Sequence, residues 1–135
     1  MFLLDSNAWI AVFRQQSISI LDQLKRRPAG EIVLCSVVLA ELWYGVCRSS
    51  SAHRANNEAL VHDVRKKYAS FPFDDAAALD CAALRADLDA RGLSIGPHDT
   101  MIAGIARVRG LTVVTHNTAE FSRVPGLSIE DWQTP

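Results

Sequence analysis

Four residues of this chain have types and settings that could do chemistry: Asp5, Glu41, Asp99 and Asn117. Asp5 closes the apolar run FLLD, Asp99 stands two places after Pro97 at the mouth of the helix-forming run PHDTMIAGIARVRG, and Asn117 follows LTVVT. Glu41 lies inside SVVLAELWYGV, where its neighbours three and four places away are Val37, Val38, Tyr44 and Gly45. A carboxylate buried in such a setting without a partner is costly, so it should meet a cation, a metal or a proton. Each position also has a purely structural reading. Asp5 can cap a helix that starts at Ser6, and Asp99, behind a proline at the first helical position, gains about 0.3 to 1 kcal/mol from the helix dipole. Asn117 and Glu120 have capping-box spacing, and Glu41 can pair with an arginine.

The four positions belong to different elements, and two of them directly follow strand-like runs. In a doubly wound parallel sheet the carboxyl ends of the strands gather at one edge, where ligands bind. Three carboxylates brought together there repel one another unless cations are present, which points to a divalent, oxygen-loving metal, magnesium or manganese. His98 and His116 lack zinc-ligand spacing, and no cysteine stands near them in the sequence. An acidic cluster that leaves metal positions to water suits hydrolysis of a phosphodiester.

The elements needed to position these residues are legible along the chain. Residues 2–5 read as a buried strand and SNAWIAVFRQQ as a helix, with a second helix over about 19–27 that ends before Pro28 and Gly30. EIVLCS, residues 31–36, reads as a strand and VVLAELWYGVCR as a strongly apolar helix, broken by Ser49, Ser50 and Ser51. HRANNEALVHDVRKKYA reads as a polar helix, and FPF, with its proline, suits only a short or edge segment. An Ala-rich helix runs from Asp74 or Asp75 to Arg91, and another from Pro97 to about Arg109, stopped by Gly92 and Gly110. LTVVT, residues 111–115, is the clearest strand; a short turn or helix, NTAEF, and a final LSIEDW follow. This alternation predicts one α/β domain over 1–135, a central parallel sheet with helices on both faces.

Composition limits what the domain can do. At 135 residues, 49% hydrophobic and 21% charged, the chain suits one globular domain and excludes disorder. A net charge of −1 argues against a uniformly basic, nucleic-acid-coating protein, so any such contact needs a local cluster. Arg48, Arg54, Arg65, Lys66 and Lys67, with His53 and His62, supply one; its bland alternative is a solvated helix face. Three scattered cysteines, Cys35, Cys47 and Cys81, suggest neither disulfides nor zinc, are expected to be small core residues, and fit a reducing cytoplasm. MFLLDSNAWI has no basic start and is interrupted by Asp5, unlike a signal peptide.

LLDSNAWI, SVVLAELWYGV, IGPHDTMIAGIARVRGLTVVTHNTAEF and RVPGLSIEDW, in this order and spanning essentially the whole chain, resemble the PIN domain and specifically the VapC-type toxins of bacterial toxin–antitoxin pairs. The resemblance implies that Asp5, Glu41 and Asp99 bind magnesium or manganese, and that Asn117 takes the fourth position of the acidic cluster, where the family often has aspartate. Ser6, Asn7 and Thr100 flank the carboxylates and are assigned supporting contacts behind them. The implied reaction is endonucleolytic hydrolysis of RNA by metal-activated water, leaving a 3′-hydroxyl and a 5′-phosphate. The implied targets are tRNA or ribosomal RNA cut at exposed single-stranded loops, with Arg65, Lys66 and Lys67 as the best RNA contacts. A VapB-type antitoxin is implied too, its tail covering the site and its other domain binding operator DNA, as is dimerisation of the toxin. Trp9, Trp43 and Tyr44 are either members of such interfaces or plain core.

Three rivals stay open at this level. A phosphoaspartate-forming site at LLDSN would want a second early acid and a late lysine, but Asn7 replaces the acid and no lysine follows Lys67. A metal-free ribonuclease using His98 and His116 as acid and base would leave Glu41 unexplained. A PIN-fold module with weak or no catalysis, acting in a DNA-bound repressor complex with its antitoxin, would make Asn117 a sign of lost activity.

Overall fold

The computed structural model describes residues 1–135 throughout. Short, apolar, β-branched runs form five strands: β1 (Phe2–Leu4), β2 (Ile32–Cys35), β3 (Ala69–Phe71), β4 (Thr112–Val114) and β5 (Ser128–Glu130). They make one sheet in the order β3-β2-β1-β4-β5, and every pair is parallel. Parallel strands need crossovers, which are supplied by α1 (Ser6–Phe13) and α2 (Ile18–Lys25), α3 (Ser36–Cys47) and α4 (Arg54–Lys67), α5 (Asp75–Ala90) and α6 (Pro97–Arg109), and the short α7 (Thr118–Phe121). The chain steps from β1 to β3 in one direction and then returns past β1 to β4. Because such crossovers are right-handed, the first two pairs of helices and the later ones cover opposite faces.

β2 is buried along its whole length, as a continuous apolar run in a two-sided sheet must be. The core is built from Leu3, Leu4, Val33, Leu34, Ile102, Ile105, Val113 and Phe121, with Trp9 sealed inside it. The helix ends follow local chemistry: Pro97 opens α6, and Gly110 closes it in the left-handed conformation, φ 65°. α5 and α6 pack closely because Gly104 has no side chain; a Cβ there would lie 2.9 Å from the Ala77 carbonyl oxygen.

Several expectations shift by a residue or two. α1 stops at Phe13 rather than Gln16, where Gln15 turns the chain with φ 53°. The FPF segment contributes only Phe71 to a strand, β3, which is an edge strand as its proline requires, with Pro72 just past its end. Cys35 is buried, but Cys81 is only half-buried and Cys47 is exposed at the last position of α3, so the small-core-residue reading fails for Cys47. Trp9 is core, Trp43 is half-buried and Tyr44 is 62% exposed. No helix is long and apolar enough to cross a membrane.

Candidate active site

The connections after β1 and β4 leave in opposite directions, so the carboxyl ends of these two neighbours form the switch point of the sheet. Asp5 follows β1 directly and Thr115 follows β4, and the two elements are zipped together there. The Asp5 N–H donates to the Val114 carbonyl at 3.0 Å, and Thr115 Oγ1 donates to Asp5 Oδ2 at 2.6 Å. Asp5 is also the N-cap of α1, its Oδ1 accepting from the Ala8 N–H at 2.8 Å. The cap reading and the functional reading of Asp5 thus describe one side chain, only 4% exposed. Burial raises its pKa and the Glu41 charge adds to this, while the hydrogen bonds from Thr115 and Ala8 and the nearby His116 act in the opposite sense.

Glu41 reaches the same edge from the middle of α3. Its Oε1 accepts from Ser6 Oγ at 2.6 Å, and its Oε2 lies 3.3 Å from His98 Nδ1. No arginine partners it; a hydroxyl and an imidazole do. Asp99, in the first turn of α6, is the most perturbed acid, pushed up to about 7. Burial is the largest cause, followed by the side-chain hydrogen bond that the protonated Asp99 donates to Glu120 and the charges of Glu120, Asp5 and Glu41. Four carboxyl groups from four elements therefore feel one another at one sheet edge.

Glu120 is the member that sequence reasoning missed; its one signal was the Asn117-to-Glu120 spacing. The expected capping box does not form. Asn117 caps α7 by position without a side-chain cap bond, and its Nδ2 instead donates to Glu120 Oε2 at 2.7 Å. Its backbone N–H donates to Thr115 Oγ1 at 2.9 Å, so Asn117 touches the cluster through Glu120 and Thr115. Thr115, fully buried and bonded on both sides, is the second residue sequence reading passed over.

Of the flanking residues, Ser6 holds Glu41 as described. Asn7 is exposed at the start of α1. Thr100 is buried and turns its hydroxyl back to the Gly96 carbonyl at 2.9 Å, bracing the entry to α6. His116 pairs with Asp131 at 3.0 Å on the rim. Arg65, Lys66 and Lys67 share the last, exposed turn of α4 and are not brought together as one contact. Arg65 borders a cavity between α3 and α4, and Lys67 lies over the Tyr68 ring.

The donor set consists of hard carboxylate oxygens, of the kind that could hold a divalent cation such as magnesium or manganese, and burial, with the neighbouring acids, keeps a proton on Asp99 near neutrality. No three acidic, histidine or cysteine groups form a ready-made cage around one point, so a cation would be held only if the Asp99 to Glu120 hydrogen bond were exchanged for cation contacts.

Comparison with known proteins identifies the family and the fold. The PIN domain matches residues 2–127. The tRNA(fMet)-specific endonuclease VapC of Shigella flexneri is 39% identical over 131 residues, 97% of each chain. The DNA-bound VapBC complex of Salmonella typhimurium contains a chain that superposes with a TM-score of 0.89 at 36% identity, covering 97% of both. VapBC2 of Rickettsia felis, bound to a promoter DNA fragment, gives 0.88 at 30% identity, covering 97% of this chain and 98% of that one.

Proposed function

The chain belongs to the PIN domain family, in its VapC branch, and from that premise we propose that it is the toxin of a VapBC pair, a magnesium- or manganese-dependent endoribonuclease. The observation that carries the reading is the convergence of Asp5, Glu41, Asp99 and Glu120 at the β1/β4 switch point, with Asp99 held protonated to about 7 by burial and its acidic neighbours. These four carboxylates would hold the cation. When bound, it lowers the pKa of an attacking water and stabilises charge on the phosphoryl oxygens.

The chain's own residues do the rest. Thr115 and the Ala8 N–H fix the Asp5 carboxylate, so that it meets a ligand without reorganising. Ser6 orients Glu41, and Asn117 holds Glu120. Asp99 must give up its proton to join the set. The proposed substrate is structured RNA, with tRNA foremost given the Shigella relative's name, cut at a single-stranded loop to leave a 3′-hydroxyl and a 5′-phosphate.

The proposed inhibitor is a VapB-type antitoxin. A cavity of about 310 Å³ between α1, α3 and α4 is lined by Ile10, Phe13, Leu42 and Leu60, with Arg14 and Glu41 also on its wall. An antitoxin tail lying in this groove ends against the acidic cluster, and operator DNA is contacted through the antitoxin, in keeping with the DNA-bound complexes of the relatives. The toxin works as a dimer in the cytoplasm on this reading.

The test is end-mapped sequencing of total cellular RNA incubated with antitoxin-free protein. Discrete cuts in one RNA class, blocked by EDTA and by cognate antitoxin, are expected. Cuts that persist in EDTA would move the chemistry to His98 and His116, and intact RNA from a folded, metal-supplied protein would overturn the enzyme reading.

A further inference from the structure

The face of α3 turned away from Glu41 borders a second cavity, about 360 Å³, that includes none of the carboxylate cluster and shares only Val61 with the α1/α3/α4 groove. Ser36, Leu39, Ala40 and Trp43 form its α3 side, and His62 and Arg65 of α4 contribute from the other. Buried Val61 of α4 and half-buried Leu39 supply its apolar lining. The Trp43 ring meets the His62 imidazole with centroids 5.4 Å apart at 60°, and the other edge of His62 is tethered by Glu58 at 3.6 Å. Arg65 takes part in none of the chain's ion pairs, so its guanidinium is unclaimed. Ser36 is exposed at the N-terminus of α3, whose first turn carries no acidic residue.

The location ties this cavity to the reactive edge. Ser36 follows the end of β2, the strand next to β1, so it stands one strand over from Asp5. Trp43 lies about 10 Å further along α3, at 1.5 Å per residue. An aromatic wall, an apolar lining, an unpaired guanidinium and a hydroxyl match one nucleotide of a single strand, the base against the ring and the phosphate on the cation. A second copy of this chain would bring the same cation to the same face and leave both uncompensated.

We propose that the Trp43, His62 and Arg65 cavity is a nucleotide subsite that holds an unpaired residue of the RNA substrate on the α3/α4 flank, away from the carboxylate cluster. This rests on the ribonuclease reading and extends it, since it explains a preference for single-stranded loops: a paired base cannot leave its stack to enter.

The test reads binding separately from cleavage. Trp9 and Trp132 are 1% and 2% exposed, so emission that responds to solvent-borne ligands comes from Trp43. In EDTA, a short single-stranded oligoribonucleotide should quench this emission, and a base-paired duplex of the same sequence should not. Trp43→Leu should abolish the quench and weaken binding about tenfold, within the range for loss of one base stack, whereas Trp43→Phe, which keeps a ring, should retain most of the affinity. Arg65→Ala, an exposed change, should weaken binding and reduce its salt dependence by one phosphate contact. With metal supplied, Trp43→Leu should raise KM and leave kcat near the parent value. RNA binding without quenching, or Trp43→Leu and Arg65→Ala proteins that bind and cleave like the parent, would overturn the subsite while leaving the ribonuclease reading intact. Quenching that tracks protein concentration or added acidic peptide instead of RNA would also overturn it. Absence of cleavage by the parent would count against the ribonuclease reading itself.

Discussion

At the residue scale, the site is a set of acids held by small polar donors. Thr115 shows the dependence most simply: its hydroxyl donates to Asp5 Oδ2 in the interior and accepts from the half-buried Asn117 N–H. Thr115→Val keeps the shape and removes the donor, leaving a buried carboxylate oxygen unsatisfied at a cost of about 1 to 3 kcal/mol. Denaturant unfolding should show this loss, and RNA cleavage should fall about 10- to 100-fold, as for outer partners of metal ligands. Asp99 makes a pH prediction. Its folded pKa, about 7, lies above the ordinary 3.8, so the folded chain binds the proton more tightly than the unfolded one. Metal-free protein therefore loses stability as pH rises from about 4 through about 7, with the full loss present above 7. Thermal unfolding of EDTA-treated protein between pH 5.5 and 8 should show this decline in the parent and a flatter profile in Asp99→Asn; parallel profiles would refute it. Asp5, Glu41 and Asp99 were legible in the sequence because charges in apolar runs stand out. Glu120 and Thr115 were not, since a glutamate in a short polar turn and a threonine at a strand end are ordinary, and only the sheet topology gives them partners.

At the element scale, the parallel sheet and its crossovers could be read from the alternation of short β-branched runs with longer helical ones. The ends were less legible: α1 is cut short by the turn at Gln15, and β3 begins at Ala69 because its pairing with Val33, not its own propensity, places it in the sheet. The close approach of α5 and α6 could not be read at all, because Gly104 within a helical run looks like a simple loss of propensity. Its role is contact: besides the Ala77 carbonyl, a Cβ there would stand 3.1 Å from Cys81 Cβ. Gly104→Ala should force the two helices apart and destabilise the fold by about 1 to 3 kcal/mol, as overpacking does, despite the better helix propensity of alanine. Since α6 carries Asp99, weakened metal binding should accompany the loss measured by denaturant unfolding. An unchanged unfolding midpoint would show that the pair of helices has slack.

At the scale of the whole molecule, one edge of one sheet gathers the chemistry. β1 and β4 present Asp5 and Thr115 at the switch point, α3 and α6 bring Glu41 and Asp99 to it, and α7 closes it with Glu120. On the proposed reading, a cluster so rich in negative charge would need a cation to face a polyanion such as RNA. The most direct measurement is therefore the single-turnover cleavage rate of tRNA as a function of magnesium concentration, for the parent, Asp5→Asn and Glu120→Gln. A metal-dependent centre predicts a saturable rise from no detectable cleavage in EDTA, a fall of about a hundredfold or more in Asp5→Asn, and a weaker magnesium dependence in Glu120→Gln. A rate indifferent to magnesium, or parental cleavage by Asp5→Asn, would contradict it.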